Sequence, residues 1–343
     1  MPEITVAITT YNLEKHIHNC LDELKRQTFQ DFEILVYDDC SNDATRSILV
    51  DHQKLFRGKM TIIFGTVPQK SPGKARNMIL NSQKITGKYC VFLDGDDSIE
   101  PDFLEKLYLA AENEKADLSL CAYDRFENST GHILCQEMRG YPAAFCLEDD
   151  ASPNLAFINT SLWNKLIRTD CIGNLRFPEF SVGEDASFLQ AVYIHTKKIA
   201  CVNEVLIHYR VRSNSVISNT PEESIYNFAK EFYRLWELAD SQRIKDSIAL
   251  SAFVHIGLSM PLRAYDNPKI DTKTVLIKIR QYFAHEFCWF RGNQFFNLKY
   301  LISLGMKGIG CFGALLLHRI GCFSIFLLTY KTVTKTFGID IKF

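Results

Sequence analysis

An α/β fold, with a mostly parallel sheet covered by helices on both faces, is predicted by two observations. Apolar, β-branched runs alternate with amphipathic helical segments through the first hundred residues, which is the β-α-β-α pattern of a doubly covered sheet. Three of those runs also stop at polar or acidic clusters, and ligands bind such sheets beyond the carboxyl ends of the strands.

The elements follow in order. Residues 4–9 form an apolar run that empties into Thr10-Tyr11-Asn12, as a buried parallel strand does on entering a loop. Ile17, Leu21 and Leu24 recur at i, i+4 and i+7 and give the following helix one apolar stripe. Residues 32–37 are the second strand and end at Asp38-Asp39, after which Ser41-Asn42-Asp43-Ala44-Thr45 offers N-caps for a helix to about His52. Met60–Phe64 is the third strand, 74–83 a helix, and 89–93 a fourth strand that runs into Asp94-Gly95-Asp96-Asp97. From 102 to 213 the pattern loosens to a helix (102–115), an apolar run (117–123) and short elements carrying Trp163-Asn164-Lys165-Leu166, Gly183-Glu184-Asp185 and His208-Tyr209-Arg210-Val211-Arg212. Residues 222–290 carry Phe, Leu and Ile at helical spacing, so the chain divides into an α/β region, 1–215, and a helical C-terminal region, 216–343.

Composition limits the function. With 343 residues and 47% hydrophobic content the chain can bury a full core, which excludes disorder and fibrous repeats. A net charge of −1 supplies no field for a polyanion, so nucleic acid is not an expected partner. Eleven scattered cysteines, odd in number and never spaced C-x-x-C, argue for reduced thiols rather than disulfides or a zinc knuckle. The first twelve residues show no secretory pattern, and a cytoplasmic location is expected.

Three acids in Asp94-x-Asp96-Asp97 repel one another, and a divalent cation, an Arg or Lys, or water must relieve that repulsion; hard oxygen ligands suit Mg2+ or Mn2+. An acidic turn capping the helix near Pro101 is the plainer explanation, but the position directly after Val91-Phe92-Leu93 favours a ligand. Asp38-Asp39 with Ser41 and Asp43 fits a helix start as well as a ligand site. Tyr11 offers an aromatic face to a base, with hydrogen bonds from Thr10 and Asn12.

Taken together, Val6-Ala7-Ile8-Thr9-Thr10-Tyr11-Asn12, Asp38-Asp39-x-Ser41-x-Asp43-x-Thr45, Gly73-x-Ala75-Arg76-Asn77 and Phe92-Leu93-Asp94-Gly95-Asp96-Asp97, in that order, resemble a family 2 glycosyltransferase of the GT-A fold. The resemblance covers about residues 1–215. It implies a nucleotide-sugar half, 1–100, in which Thr10, Tyr11, Asn12, Asp38 and Asp39 hold the nucleoside, Arg76 lies over it and Asp94 and Asp96 bind the donor. It implies Mn2+ or Mg2+ on Asp97 and Asp96, with His208 as a third candidate ligand and Arg210 and Arg212 near the diphosphate. The half from 101 to 215 would take the acceptor, with Asp185 as catalytic base and Trp163 and Glu184 as acceptor contacts. Thr9 and Tyr37 depart from the residues usual at their positions, where the family has Pro and Val, which touches loop geometry more than chemistry. Such an enzyme would transfer a sugar with inversion, from a UDP-linked donor, onto a capsular, exopolysaccharide or lipooligosaccharide glycan, including a lipid-linked oligosaccharide. A nucleotidyltransferase would carry a Gly-rich loop, which 9–16 lacks; a non-catalytic glycan-binding protein would not need Asp39, Asp96, Asp97 and Asp185 intact.

Two C-terminal features complete the sequence. Gly308-Ile309-Gly310-Cys311-Phe312-Gly313 fits the dinucleotide pattern G-x-G-x-x-G, but too few residues follow it for a dinucleotide domain. Residues 309–330 are almost wholly apolar around His318-Arg319, and basic residues (Lys299, Lys307, Arg319, Lys331, Lys335, Lys342) outweigh the single acid Asp340 in the last stretch. A helix lying on a membrane, with Phe312, Leu316, Leu317, Phe323, Phe326 and Leu327 toward lipid, and a helix packed on the protein fit this pattern equally. The first would place the protein on the cytoplasmic face of the inner membrane.

Overall fold

The computed structural model describes residues 1–127, 130–149, 152–180, 182–211 and 222–337. The chain forms two compact units, Met1–Pro153 with Asn159–Ser215, and Asn154–Ile158 with Val216–Phe343.

In the first unit, β1 (Ile4–Thr10), α1 (Ile17–Lys25), β2 (Phe32–Asp38), α2 (Thr45–Leu55), β3 (Met60–Phe64), α3 (Pro72–Asn81) and β4 (Tyr89–Asp94) follow the expected alternation. Next come β5 (Ser98–Ile99), α4 (Phe103–Glu114), β6 (Leu118–Glu127), β7 (Ile133–Glu137), β8 (Ala144–Cys146), β9 (Lys165–Arg168), α5 (Thr169–Ile172), α6 (Glu184–Ile194) and β10 (Lys198–Val211). The strand order is β3-β2-β1-β4-β9-β6-β10-β5, with β7 on β6 and β8 on β10. The β3-β2-β1-β4 half is parallel, as the alternation requires. In the other half β9 lies antiparallel between β4 and β6, while β10 runs parallel to β6.

Burial explains why β1, β2 and β4 were readable. Val6, Ala7, Ile8, Ile34, Leu35, Val36, Val91, Phe92 and Leu93 are all buried, so these strands are covered on both faces, whereas the edge strand β3 leaves Thr61 and Phe64 exposed. Helix α1 buries Ile17, Cys20, Leu21 and Leu24, the predicted stripe with one cysteine added. Helix α3 starts two residues earlier than expected because Pro72 sits in its first turn, where a missing N–H costs nothing. All eleven cysteines are free.

The second unit is helical: α7 (Glu222–Leu238), α8 (Gln242–Ala252), α9 (Met260–Asp266), α10 (Thr272–His285), α11 (Leu298–Ser303), α12 (Gly305–Arg319) and α13 (Phe323–Phe337). Helices α8 and α9 are continuous through a π-helical stretch, Phe253–Ser259. That continuous helix, Gln242–Asp266, is long and apolar enough to cross a membrane, but 78% of its most apolar window is buried within the protein. It therefore behaves as a core helix. The π stretch leaves the Gly257 carbonyl to accept from His318 Nε2 at 2.7 Å, which anchors buried His318. The glycine pattern at 308–313 lies inside α12, where a Cβ on Gly308 would come within 1.8 Å of the Leu301 carbonyl oxygen. Its first glycine thus serves helix packing. Phe323 and Leu327, expected toward lipid, are buried; Ile309, Leu316, Ile320, Ile325 and Leu328 are the exposed large apolar residues of α12, α13 and their link among the described residues.

Gly87, at the entry to β4, donates to Thr5 Oγ1 and accepts from Thr169 Oγ1. A Cβ there would meet Thr5 N at 2.5 Å and the Ile4 carbonyl carbon at 2.7 Å, both backbone. Gly87→Ala should cost about 1–3 kcal/mol in urea denaturation, since β1 must shift to admit a methyl group.

Candidate active site

The site begins with strand register. Thr10, at the end of β1, pairs with Asp38 at the end of β2, and Thr9 pairs with Asp94 at the end of β4. Three chain segments distant in sequence therefore finish at one level. The two loops after β1 and β2 are tied together directly. Asn12 N donates to Ser41 Oγ (2.9 Å), Leu13 N to Thr45 Oγ1 (2.8 Å) and Glu14 N to Asp43 Oδ2 (3.1 Å), while Asn12 Oδ1 accepts from Asn42 N (2.9 Å). Asn12 adopts φ 51°, a conformation Asn tolerates better than most residues. Tyr11 is left 57% exposed at the rim, its ring available to a base.

Asp38 and Asp39 divide the labour. Asp38 is fully buried; it accepts from Thr10 Oγ1, Ser41 N and Arg46 Nε. It braces the loops, so the expected donor contact is replaced by a structural one. Asp39 accepts from Gln69 N (2.7 Å) and Lys70 N (3.2 Å), which fixes its carboxylate beside the Tyr11 loop.

Arg76 organises the acids. Its guanidinium donates to Asp185 Oδ1 (2.5 Å) and Asp94 Oδ1 (3.0 Å), and lies 3.6 Å from Glu184 Oε1. The guanidinium stacks over Phe177, 5.5 Å from its centroid. Neighbouring residues explain the Gly-x-Ala-Arg-Asn segment. A Cβ on Gly73 would press on Glu184 Cγ at 3.0 Å, and Asn77 exchanges two hydrogen bonds with the Phe177 backbone. Arg76 was expected over the nucleotide; it is buried, and its charge is spent on carboxylates. Glu184 is likewise mostly buried against Arg76 rather than open to an acceptor. Glu184 and Asp185 open α6 after Gly183 (φ 88°), where the helix N-terminus favours negative charge. Burial raises both carboxyls above their ordinary range; Asp185 adds to the rise of Glu184, and Arg76 opposes both.

The acids after β4 separate by burial. Asp97 is buried and accepts from Arg210 N at 3.4 Å through Oδ1, while its Oδ2 has no hydrogen-bond partner among the described residues. Burial, and then Asp94, push its carboxyl well up. An orphaned buried carboxylate oxygen beside a second acid is the donor set a hard divalent cation satisfies, so Asp97 with Asp96 or Asp94 fits Mn2+ or Mg2+. Arg210 Nε donates to the Asp96 carbonyl at 3.3 Å, joining the end of β10 to the same turn.

Other expected residues fall elsewhere. His208 is placed with Nδ1 2.8 Å from Asp124 Oδ1 and Nε2 3.0 Å from Glu100 Oε1. Burial would lower its pKa, but those two carboxylates outweigh it and raise it, and with both ring nitrogens paired to carboxylates His208 is held away from the Asp94–Asp97 turn as a ligand. Trp163 is buried edge-on to Tyr123 and stacked on Tyr209, which makes it core rather than a sugar platform. Arg212 lies outside the described residues. Sequence reasoning missed the role of Lys165. Fully buried, it donates to Asn159 Oδ1, the Ser161 carbonyl and Asn164 Oδ1, and burial lowers its pKa to about 7. A lysine in a short apolar run gives no such signal by itself.

The sequence model described as Glycosyl transferase family 2 matches residues 5–173. The chain carries a family 2 glycosyltransferase domain. Among curated proteins, it is 32% identical over 229 residues to glycosyltransferase GlyA of Streptococcus pneumoniae serotype 4, covering 62% of this chain and 31% of GlyA. It is 26% identical over 296 residues to the poly(ribitol-phosphate) beta-N-acetylglucosaminyltransferase TarS of Staphylococcus aureus strain MW2, covering 78% of this chain and 48% of TarS. The chain thus spans a third to a half of the length of these two relatives. Among solved structures, TarS 1-349 of S. aureus in complex with UDP-GlcNAc superposes with a TM-score of 0.68 at 20% identity, over 97% of this chain and 92% of that one. The mannosyltransferase PcManGT of Pyrobaculum calidifontis, with GDP-Man and Mn2+, gives 0.51 at 14% identity, over 99% and 88%. The family 2 domain is therefore GT-A in fold, and its structural relatives include complexes with a divalent metal.

Arg76→Met leaves three carboxylates without their cation, and about 3–5 kcal/mol of stability should be lost at pH 8. The sign with pH follows from the raised carboxyls. The native state binds more protons than the unfolded chain between the unfolded and native pKa values of Glu184 and Asp185. Stability of the variant should therefore recover as pH falls from 8 toward 5, as read by urea midpoints across that range.

Proposed function

We propose that this protein is an inverting glycosyltransferase that moves one sugar from a UDP-linked donor to a hydroxyl of a growing bacterial surface glycan. The observation that carries the reading is Asp185, held by Arg76 beside Asp94 at the carboxyl ends of the parallel strands. An inverting transfer needs one carboxylate to take the acceptor proton while the hydroxyl attacks the anomeric carbon from the face opposite the leaving group. Burial strengthens Asp185 as a base, and Arg76 fixes one of its oxygens so that the other can face the acceptor. Tyr11 stacks on the base, Asp39 accepts from the base N–H, and Arg210 stands near the diphosphate. Mn2+ or Mg2+ held by Asp97, with Asp96 or Asp94, would supply positive charge against the departing nucleoside diphosphate. A UDP donor and a polymeric acceptor are supported by likeness to TarS, whose name gives poly(ribitol-phosphate) and whose complex holds UDP-GlcNAc.

UDP-, GDP-, CMP- and dTDP-sugars incubated with Mn2+ or EDTA test this directly. Metal-dependent UDP release from one sugar is expected; formation of a nucleoside triphosphate and a sugar 1-phosphate when pyrophosphate is added would make the protein a nucleotidyltransferase instead. Asp185→Asn should lower transfer at least ~100-fold while UDP still binds by calorimetry. Loss of UDP binding would move Asp185 to the donor side.

We also assign the exposed apolar residues Leu316, Ile320, Ile325 and Leu328 to a lipid surface, with Lys299 and Lys307 toward anionic headgroups on the cytoplasmic side. Ile320→Glu combined with Ile325→Glu should reduce co-sedimentation with phosphatidylglycerol vesicles about tenfold or more; unchanged binding would refute this contact.

A further inference from the structure

A second cluster of metal-ligating side chains lies apart from the carboxylates at the strand ends, on the helices that follow β1 and β2. His18 and Asp22 are one turn apart on α1, and His52 comes from the last turn of α2. His18 Nδ1 faces His52 Nε2 at 2.9 Å, and His18 Nε2 lies 3.2 Å from Asp22 Oδ2. One ligand atom from each of the three residues lies within 4.8 Å of the other two. We propose that His18, Asp22 and His52 form a transition-metal site that takes Zn2+ or a similar imidazole-seeking divalent ion and clamps α1 to α2.

Three features support it. The donor set is two imidazoles and one carboxylate, which suits zinc, cobalt or nickel, whereas the all-carboxylate set at Asp94–Asp97 suits harder ions. His52 is buried, so its ring is held in one position at the end of α2. In addition, His52 Nδ1 is buried with no partner among the described residues, so hydrogen bonding alone leaves this imidazole incompletely satisfied. The His18 and Asp22 side chains, 61% and 40% exposed, are free to turn onto a shared ion and leave its fourth position to water. Such an ion would stiffen the pair of helices whose preceding loops carry Tyr11, Asn12, Ser41 and Asp43.

The competing explanation is a plain hydrogen-bonded chain from Asp22 through His18 to His52. Thermal unfolding of the full, EDTA-treated chain with added Zn2+ separates the two, with Co2+ absorbance as a second readout. Zn2+ at about one hundred times its dissociation constant should raise Tm by ~5 °C. Co2+ should give the visible bands of a four-coordinate nitrogen and oxygen site. Both effects should persist in Asp97→Asn and vanish in His18→Ala and Asp22→Ala, two exposed positions where truncation leaves the core intact. No Tm shift in the wild-type protein would overturn the proposal. A shift that survives in His18→Ala and Asp22→Ala, or one that is lost in Asp97→Asn, would also overturn it, because the ion would then sit elsewhere.

Discussion

One buried guanidinium set against three carboxylates governs this site. Burial alone would loosen the Arg76 proton, yet Asp185, Asp94 and Glu184 outweigh that effect and hold it more firmly than usual. The bargain is unequal, because a single positive charge cannot neutralise three acids. The surplus adds to the rise that burial gives the Glu184 and Asp185 carboxyls, and Asp97, buried beside Asp94, is raised as well. Negative charge left over in a place withdrawn from water is a standing preference for cations and for proton uptake. Both are what the transfer proposed above requires.

That arrangement depends on the sheet. Arg76 comes from α3, Asp94 from the end of β4 and Asp185 from the first turn of α6, and none of them is near another in sequence. Parallel pairing of β1 with both β2 and β4 brings the strand ends to one level, and the loop-to-loop hydrogen bonds from Asn12, Leu13 and Glu14 hold the rim there. Backbone donors paired with Ser41, Asp43 and Thr45 oxygens explain a polar stretch that fits a helix start and a ligand site equally when read from sequence.

Most of the parallel half was legible because β1, β2 and β4 are buried on both faces and so are largely apolar. The other half was not. Strand β9 is four residues long and contains the fully buried Lys165, whose charge is tolerated only because three acceptors from 159–164 surround it. Pattern along the chain cannot show acceptors that meet a side chain only after folding. The same limit explains His208 and Trp163. Each stood near the right motifs, but Asp124 and Glu100 claim the histidine nitrogens, and Tyr123 and Tyr209 enclose the indole. Residue type placed candidates near the site; only packing decided which of them had a free valence.

The Asp-Gly-Asp-Asp turn shows how that decision is made at the smallest scale. Asp94 is the last residue of β4, and its side chain meets Arg76. Asp97 N donates back to the Asp94 carbonyl at 3.2 Å, closing a turn that folds the fourth residue inward beside the end of β10. A Cβ on Gly95 would press on Leu13 Cδ1 at 3.0 Å and Ile17 Cδ1 at 3.1 Å, where the start of α1 crosses the turn, so glycine lets the two pack closely. Three acids within four residues therefore reach three different environments. Asp94 is neutralised by Arg76, Asp96 remains half-buried with its carbonyl on Arg210, and Asp97 is buried with one oxygen unclaimed. The need for a cation falls on Asp97, the acid that the turn has taken furthest from water.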